Sequence, residues 1–315
     1  MSRTGVEQVP PVSQHARTGR RQAWLRRAPL LPALIFMIAL TQVPFLASLV
    51  ISTYHWNSLL PDETKFVGFD NYVTVFTDTD LRSAVITTFL LTATVVIVSV
   101  FFGGTIALLV NRKFFGRGLA RTMLITPFLI VPVAAALVWK HAILNPSYGL
   151  LNGTLTWIWS LFGQQNAPQL DPLSTHPLMS VEASLIWQWT PFMMLIILAG
   201  LQSQPMDIVE AARVDGAGEF NIFRFITLPH LRRYVELGAL LGSIYIVQNF
   251  DAVFTLTSGA LGTANLPYIV YQTFYVSNEY GLASAAGVVV VAGTLVIATF
   301  VLRTMFSMFR TELVR

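Results

Sequence analysis

Six long apolar stretches, each of at least 20 residues and with no more than one charged side chain, constrain this chain more than any other feature of its sequence. A helix needs ~20 mostly apolar residues to cross the ~30 Å hydrocarbon core of a bilayer. Only 11% of the residues are charged, compared with ~25% in soluble domains, so lipid must be part of the solvent. The stretches cover residues 28–53, 84–110, 119–139, 179–201, 237–256 and 282–302.

This pattern predicts an all-α integral membrane protein of about six transmembrane helices. Residues 28–315 are expected to form one transmembrane domain. The polar, Arg-rich residues 1–27 are expected to form a disordered cytoplasmic tail, because the apolar run that follows is too long for a signal peptide.

The basic residues are divided unequally between the two sides of a six-span bundle. Seventeen of the 20 Lys and Arg residues fall in the N-terminal tail, in the links after the second and fourth stretches, and in the C-terminal segment. The opposite side holds Lys65, Arg82 and Lys140. Because cationic loops stay in the cytoplasm, both termini and these two links are predicted to lie inside the cell.

Several apolar stretches contain proline, for example Pro127, Pro132 and Pro191. Neighbouring groups can satisfy the backbone around a proline inside a membrane helix. These prolines predict either simple packing kinks or helices shaped to line a pathway.

The most informative segment is the 4–5 link, residues 205–233, which is too polar to cross a membrane and too long to be a simple turn. Two short helices are predicted, one over residues 208–214 with Asp207 as its N-cap, and one over residues 219–227 that ends before Pro229. Gly216 supplies the permissive backbone for the turn between them. Amphipathic links can also simply lie on lipid headgroups, and the physics of the segment leaves both interpretations open.

The 4–5 link resembles the EAA coupling motif of permeases from binding-protein-dependent ABC importers. The family pattern is Glu-Ala-Ala, three residues, Gly, nine residues, Ile, one residue and Leu-Pro. This chain has the named residue type at each position: Glu210, Ala211, Ala212, Gly216, Ile226, Leu228 and Pro229. Asp215 and Ala217 flank the glycine, as in carbohydrate permeases of this family.

The likeness extends beyond the motif to sugar and polyol permeases of the maltose-type group. Pro127, Trp139, Gly149 and Asn152 look like the third span and the loop after it. Residues 249–251, 256–259 and 280–285 look like the end of span five, the outer loop and the start of span six. One departure is the sequence at 258–261, where many relatives have a Gly-Gly-Pro-like turn.

The resemblance implies a type I importer permease fold in the bacterial cytoplasmic (inner) membrane. It also implies a heterotetrameric core, in which the chain pairs with a second, related permease on two ATP-binding cassette subunits. An extracytoplasmic solute-binding protein would deliver the cargo. ATP and Mg²⁺ belong to the ATPase subunits in this family, so no cofactor and no nucleic acid are expected on this chain.

The resemblance also assigns roles within the coupling helices, residues 206–229. Glu210 would make a charged contact in a cleft of the ATPase, and Ala211 and Ala212 would allow close approach. Gly216 would set the turn between the helices. The apolar residues after the turn would fill the cleft, and they include Phe220, Phe223, Ile226 and Leu228.

Two further observations bear on catalysis by the chain itself. The sequence has no G-x-x-x-x-G-K-[ST] motif, so hydrolysis of ATP must come from another chain. There are no cysteines, and the five histidines are scattered in the predicted tails and loops, so no metal site is expected. The chain is therefore expected to be a transport subunit and not an enzyme.

Polar groups inside apolar spans are energetically unfavourable in contact with lipid, so they tend to face the bundle interior, where a solute passes. Sugars favour aromatic faces together with amides and acids. The candidate pathway residues are Trp187, Gln188, Trp189, Tyr245, Gln248, Asn249 and Asp251. The alternative for each is a hydrogen bond between helices that only holds the bundle together.

Three classes of function remain open from the sequence. The leading hypothesis is an ABC importer permease for a disaccharide, oligosaccharide or polyol, with a glycerol phosphate ester or an amino acid as alternative cargo. A secondary transporter driven by an ion gradient would be expected to show paired carboxylates or broken helices at mid-membrane. The third class is a membrane scaffold or enzyme.

Overall fold

The computed structural model describes residues 28–164 and 166–312, and their regular structure is almost entirely helical. The predicted tail of residues 1–27 lies outside the described residues. In chain order the α-helices are α1 (Leu31–Ile51), α2 (Asp70–Thr77), α3 (Thr79–Asn111), α4 (Arg117–Leu129), α5 (Pro132–Leu137), α6 (Leu150–Leu161), α7 (Pro172–Thr175), α8 (Pro177–Gln202), α9 (Met206–Val214), α10 (Glu219–Ile222), α11 (Leu228–Val247), α12 (Asp251–Leu256), α13 (Leu266–Tyr271) and α14 (Tyr280–Glu312). Short 3₁₀ turns lie at Ala28–Leu30 and Pro61–Glu63, and π-helical segments at Val138–Ile143, Phe223–Thr227 and Gln272–Val276.

The chain divides into two compact units, Met1–Val50 and Ile51–Arg315. The described part of the first unit is a 3₁₀ turn followed by α1, which is apolar apart from Thr41, Gln42 and Ser48, as expected of a membrane span. Pro44 lies inside this helix, and the hydroxyl of Ser48 donates to the Pro44 carbonyl at 3.1 Å.

The centre of the second unit is formed by α3 and α8, which make the most extensive contact between any two helices, and α11 packs on both. Leu91 and Val95 of α3 are fully buried against Val181 and Leu185 of α8. Because lipid tails are as apolar as these side chains, close van der Waals packing has to hold such helices together in a bilayer.

The third apolar stretch does not form the single helix that its hydropathy predicts. Helix α4 and the helical segment from Pro132 to Ile143 meet at an angle of 97°. The two residues before Pro132 are extended, with ψ near 135° at Ile130 and 134° at Val131. A proline disfavours helical backbone in the residue that directly precedes it, which here is Val131. The side-chain amide of Gln188 donates to the Ile130 carbonyl at 3.1 Å, which gives the interrupted backbone a partner.

The fifth apolar stretch is also divided. Helix α11 begins at Leu228, well before the apolar pattern starts, and ends at Val247. Asn249 lies in the gap before α12: its side-chain oxygen accepts from the Ala252 N–H at 3.3 Å, and its carbonyl accepts from the Asn265 side chain at 2.5 Å. Side chains that bond locally to the backbone compete with helix continuation, which accounts for the break.

Among the described residues, three helices are long and apolar enough to cross a bilayer by length and composition, namely α1, α3 and α8. The bent pair of α4 and Pro132–Ile143 would be a fourth if it counts as one span, and Tyr280–Val296 of α14 is a shorter apolar helix. The count of six spans therefore stays a prediction.

A small antiparallel hairpin follows α1, with β1 at Tyr54–His55 and β2 at Lys65–Phe66. The buried side chain of Asn71 donates to the Tyr54 carbonyl at 2.8 Å. Gly281 of α14 packs so closely on the same carbonyl that a side chain there would overlap it. These contacts attach the hairpin to α2 and to the start of α14.

Candidate coupling site

The first helix of the 4–5 link is α9, and it begins slightly earlier than the sequence predicts. Pro205 occupies the N-cap position, so Asp207 lies in the first turn and the prediction of Asp207 as the N-cap is wrong. A carboxylate in the first turn is still favoured by the helix dipole. Val209 is buried, whereas Glu210 and Ala211 are exposed.

Gly216 ends α9 in the left-handed conformation, with φ of +85°, as the predicted sharp turn requires. The Ala217 N–H donates to the Ala212 carbonyl at 2.9 Å, and the Gly216 N–H donates to the Arg213 carbonyl at 3.0 Å. These two bonds form a Schellman motif, which satisfies carbonyls that a helix end leaves without partners. The turn that the sequence predicted is therefore confirmed.

The second helix of the 4–5 link starts at Glu219 as predicted but does not end before Pro229. Helix α10 passes through the π-helical segment Phe223–Thr227 directly into α11. Pro229 lies just after the π-helical segment, and because the helix is continuous there, its missing N–H leaves one carbonyl of the preceding turn without its usual donor. The prediction that Pro229 terminates this helix is wrong.

Large apolar side chains project from the 4–5 link. Val214 is 88% exposed, Phe220 70% and Phe225 67%. Phe223 and Ile226 are partly buried, and Leu228 is exposed. Exposed apolar groups concentrated in one segment indicate a contact surface. Val214 was missed in the sequence analysis, because it is not part of the EAA pattern. It could have been found as an apolar residue at the end of a short amphipathic helix.

Charged groups surround the turn. Arg213 and Glu219 pair across it with a nitrogen–oxygen distance of 3.0 Å, and both side chains are exposed. Exposed pairs of this kind contribute little to stability, about 0–1 kcal/mol, so the pair does not fix the turn by itself. Asp215 is exposed directly before Gly216, and Ala217 after it is partly buried.

The candidate pathway residues of α8 lie in different surroundings. Trp187 is near Trp139, with ring centroids 6.1 Å apart. Gln188 is buried and bonded to the backbone at the α4–α5 break. Trp189 packs in an aromatic group with Phe128, Phe192 and Tyr245.

The candidates of α11 and α12 gather around the break between these helices. Gln248 is exposed and donates to the carbonyl of Ile244 in its own helix at 3.1 Å. The Asn249 side-chain oxygen accepts from the Ala252 N–H of α12, and the Asn249 N–H donates to the Ile246 carbonyl of α11. Asp251 begins α12. Tyr245 is exposed and is the member of this group that contacts Trp189 of α8.

Two cavities lie beside the central helices. One, of about 640 Å³, is lined by side chains of α3, α4 and α8, including Trp187 and Thr190. The other, of about 300 Å³, lies between α3, α11 and α14, and its polar lining comes from Thr88, Thr92 and Ser243. Thr92 and Ser243 were not singled out from the sequence. Within residues 28–164 and 166–312, no group of three His, Cys, Asp or Glu side chains is placed to hold a metal ion.

Comparison with known families gives one match that covers more than half of the chain. Residues 99–309 match the profile of a protein family described as binding-protein-dependent transport system inner membrane component. The matched region includes the whole 4–5 link.

Similar curated proteins are permease subunits of ABC transporters. A probable ABC transporter permease protein of Sinorhizobium fredii is 33% identical over 271 residues, which cover 85% of each chain. The trehalose transport system permease protein SugA of Mycobacterium tuberculosis is 31% identical over 94% of each chain. The trehalose/maltose transport system permease protein MalF of Thermococcus litoralis is 31% identical over 85% of this chain and 89% of its own.

Solved structures share the fold. A chain of the bacterial alginate ABC transporter, in complex with an alginate pentasaccharide-bound periplasmic protein, superposes with a TM-score of 0.75 and 23% identity. The superposition covers 91% of this chain and 96% of that one.

Proposed function

The chain belongs to the family of binding-protein-dependent transport system inner membrane components, and from this membership we propose that it is the membrane-spanning permease subunit of an ATP-driven ABC importer for a sugar or sugar-like solute. The observation that carries the proposal is the 4–5 link. It has the EAA spacing, a Schellman turn at Gly216 and apolar side chains that project from it.

The proposed cargo is a disaccharide, an oligosaccharide or a polyol. Two of the relatives are named as permeases for trehalose or for trehalose and maltose, and the match covers most of their length. A glycerol phosphate ester or an amino acid is the alternative cargo, which a transport assay with competing solutes separates from a sugar.

The proposed assembly contains this chain, a second and related permease, and two ATP-binding cassette subunits that hold ATP and Mg²⁺. An extracytoplasmic binding protein delivers the solute. The chain crosses the bacterial inner membrane about six times with both termini inside, in agreement with the distribution of its basic residues.

In this assembly the 4–5 link enters a cleft on the ATPase. Glu210 is exposed and available for an ion pair, while Phe220 and Val214 present apolar surface for the cleft. Closure of the ATPase dimer on ATP would move the link, and α8 and α11 would carry that motion into the membrane. This is coupling by rigid-body motion between two states.

The test is co-purification and transport. The tagged chain, expressed in its native host, should co-purify with an ATPase that carries a P-loop and hydrolyses ATP, and Glu210→Ala should weaken this association. Vesicles containing the assembly and the binding protein should take up labelled trehalose or maltose only with ATP. Uptake that continues without ATP and collapses with an ionophore would instead support an ion-coupled transporter.

A further inference from the structure

The two residues that flank the 4–5 link, Ser203 and Tyr234, touch each other. Their hydroxyl oxygens are 2.5 Å apart. Ser203 follows directly after α8, and Tyr234 lies in the second turn of α11. The contact between Ser203 and Tyr234 therefore joins the end of α8 to the start of α11, and the 4–5 link lies between them in the sequence.

The hydrogen bonds at this contact have one consistent direction. Ser203 Oγ lies 3.0 Å from the Gly200 carbonyl oxygen, which can only accept, so the serine donates there and accepts from the Tyr234 hydroxyl. A guanidinium nitrogen of Arg233 lies 3.3 Å from the Tyr234 oxygen and donates to it. His230 Nε2 lies 3.0 Å from the Gly200 carbonyl, and with its proton on this nitrogen it is a second donor to the same oxygen.

The Gly200 carbonyl needs such partners because α8 ends at Gln202. The last carbonyls of a helix have no N–H to bond within the helix. Side chains from α11 and from the residue after α8 supply the missing donors. The end of one helix is thus satisfied by the start of the other.

Packing holds the same two helices close together. A Cβ at Gly200 would lie only 2.6 Å from Cδ2 of Tyr234, so the ring occupies the space that any other residue at position 200 would fill. A second bond between side chains joins the same two regions: the Gln204 amide, next to Ser203, donates to the hydroxyl of Thr227 in the π-helical segment before α11, at 3.2 Å.

We propose that Ser203 and Tyr234 are positioning residues for transport, because they join the two ends of the 4–5 link so that a push on the link moves α8 and α11 together. This inference rests on the proposed function. Without the closure, movement of α9 and α10 would be passed to α8 less completely, and less solute would move for each ATP hydrolysed. The exposed apolar side chains of the link would still bind the ATPase.

The test compares Tyr234→Phe and Ser203→Ala in the complete complex. Tyr234→Phe keeps the ring against Gly200 and removes only the hydroxyl, and Ser203→Thr is the conservative variant that keeps a hydroxyl. Thr105→Ala is the matched control, since it removes an exposed hydroxyl of α3 that lies outside the 4–5 link and donates within its own helix, to the Phe101 carbonyl at 2.8 Å. The readouts are the amount of co-purified ATPase, the rate of ATP hydrolysis and the number of solute molecules imported per ATP.

We expect Tyr234→Phe and Ser203→Ala to retain the ATPase and to hydrolyse ATP, but to import about 5- to 10-fold less solute per ATP. The double variant should be no worse than either single variant, because residues that act as one unit are not additive. Ser203→Thr and Thr105→Ala should transport like the wild type.

Gly200→Ala should also lower the import of solute per ATP. The added methyl group displaces the Tyr234 ring, although the Tyr234 hydroxyl is still present. If Tyr234→Phe and Ser203→Ala import as many solute molecules per ATP as the wild type, the positioning role is wrong. A drop in thermal stability with an unchanged import ratio would also overturn it. If the wild-type chain itself shows no ATP-dependent import, the proposed function fails instead.

Discussion

Met193 of α8 packs directly against Gly103 of α3. A Cβ at Gly103 would lie 2.7 Å from the Met193 Cβ and 2.8 Å from the backbone nitrogen of Met194. On its other side, Met193 lies against two glycines of α11, Gly238 and Gly242. Small residues that receive a larger side chain allow membrane helices to approach closely, and here they set the spacing of the three central helices.

Gly103→Ala should therefore destabilise the helix bundle. The added methyl group meets atoms of the α8 backbone, which cannot move away by a change of rotamer, so a cost of about 1–3 kcal/mol is expected. Thermal unfolding of the purified protein in detergent would measure it as a lower transition temperature.

The neighbouring glycine is a matched control for this prediction. A Cβ at Gly104 would lie 3.5 Å from Cδ1 of Ile197, which is an ordinary contact. Gly104→Ala should leave the transition temperature unchanged or raise it slightly, because alanine has the better helix propensity. Equal destabilisation by the two variants would contradict the close packing of Met193 on Gly103.

The approximate positions of the long helices could be predicted from the sequence, because hydropathy reports directly on what a helix buries in lipid. The apolar pattern placed the fourth stretch at residues 179–201, and α8 runs from Pro177 to Gln202. The turn at Gly216 was also predictable, since its requirement for a left-handed backbone is local.

The effects of individual prolines were not predictable in the same way. Pro132 coincides with a bend of 97°, whereas Pro191 lies inside a continuous α8. The difference depends on tertiary partners such as Gln188, which bonds to the carbonyl at the break. Likewise, the closure of Ser203 on Tyr234 joins residues 31 positions apart, and no local pattern indicates it.

Gly216 gives the second prediction, on the conformation of the 4–5 link. Nothing lies within 4 Å of a Cβ at this position, so the cost of Gly216→Ala comes only from its φ of +85° and should be about 1–2 kcal/mol. Gly216→Asn should cost less, since asparagine tolerates this conformation. Hydrogen–deuterium exchange over residues 206–222 should show faster exchange in the alanine variant.

Gly218, two residues further on, is the control for the turn. Its φ is −71° and its ψ is 158°, which any residue can adopt, and it is the N-cap of α10. Gly218→Ser should slow exchange or leave it unchanged, because serine is a preferred N-cap residue. Faster exchange in Gly218→Ser but not in Gly216→Ala would refute this account of the turn.

Lys140 gives the third prediction, on the attachment of α12. Its ammonium group donates to the Thr255 carbonyl at 2.7 Å, and Thr255 lies in the last turn of this short helix, where carbonyls lack partners. Lys140→Met keeps an unbranched chain of about the length of the lysine's aliphatic part and removes the donor. Because hydrogen bonds to charged groups are worth about 1.5–3 kcal/mol, the variant should unfold at a lower temperature.

His141 is the control for the loss of Lys140, because it is the next residue along the chain and is exposed. His141→Gln should leave the transition temperature unchanged. A Lys140→Met variant as stable as the wild type would show that the bond to Thr255 contributes nothing to the position of α12.

Asn152 gives the fourth prediction, on the loop between α5 and α8. Its side chain is only 4% exposed and makes three hydrogen bonds: its amide donates to the Pro146 carbonyl at 3.0 Å and to the Leu170 carbonyl at 2.7 Å, and its oxygen accepts from the Leu170 N–H at 2.9 Å. One side chain thus ties together both ends of the loop. Asn152→Asp replaces the donor amide with an oxygen that faces two carbonyl oxygens, so both donated bonds are lost and the buried carboxylate keeps only the Leu170 N–H as a partner. Local opening of the loop should become easier by about 2–3 kcal/mol, which at 1.4 kcal/mol per factor of ten corresponds to ~30- to 150-fold faster cleavage by a protease that cuts only the open form.

Limited proteolysis of the purified protein would measure these rates, with the exposed Asn166→Asp of the same loop as the charge-matched control. If Asn152→Asp and Asn166→Asp are cleaved at the same rate, Asn152 does not hold this loop closed.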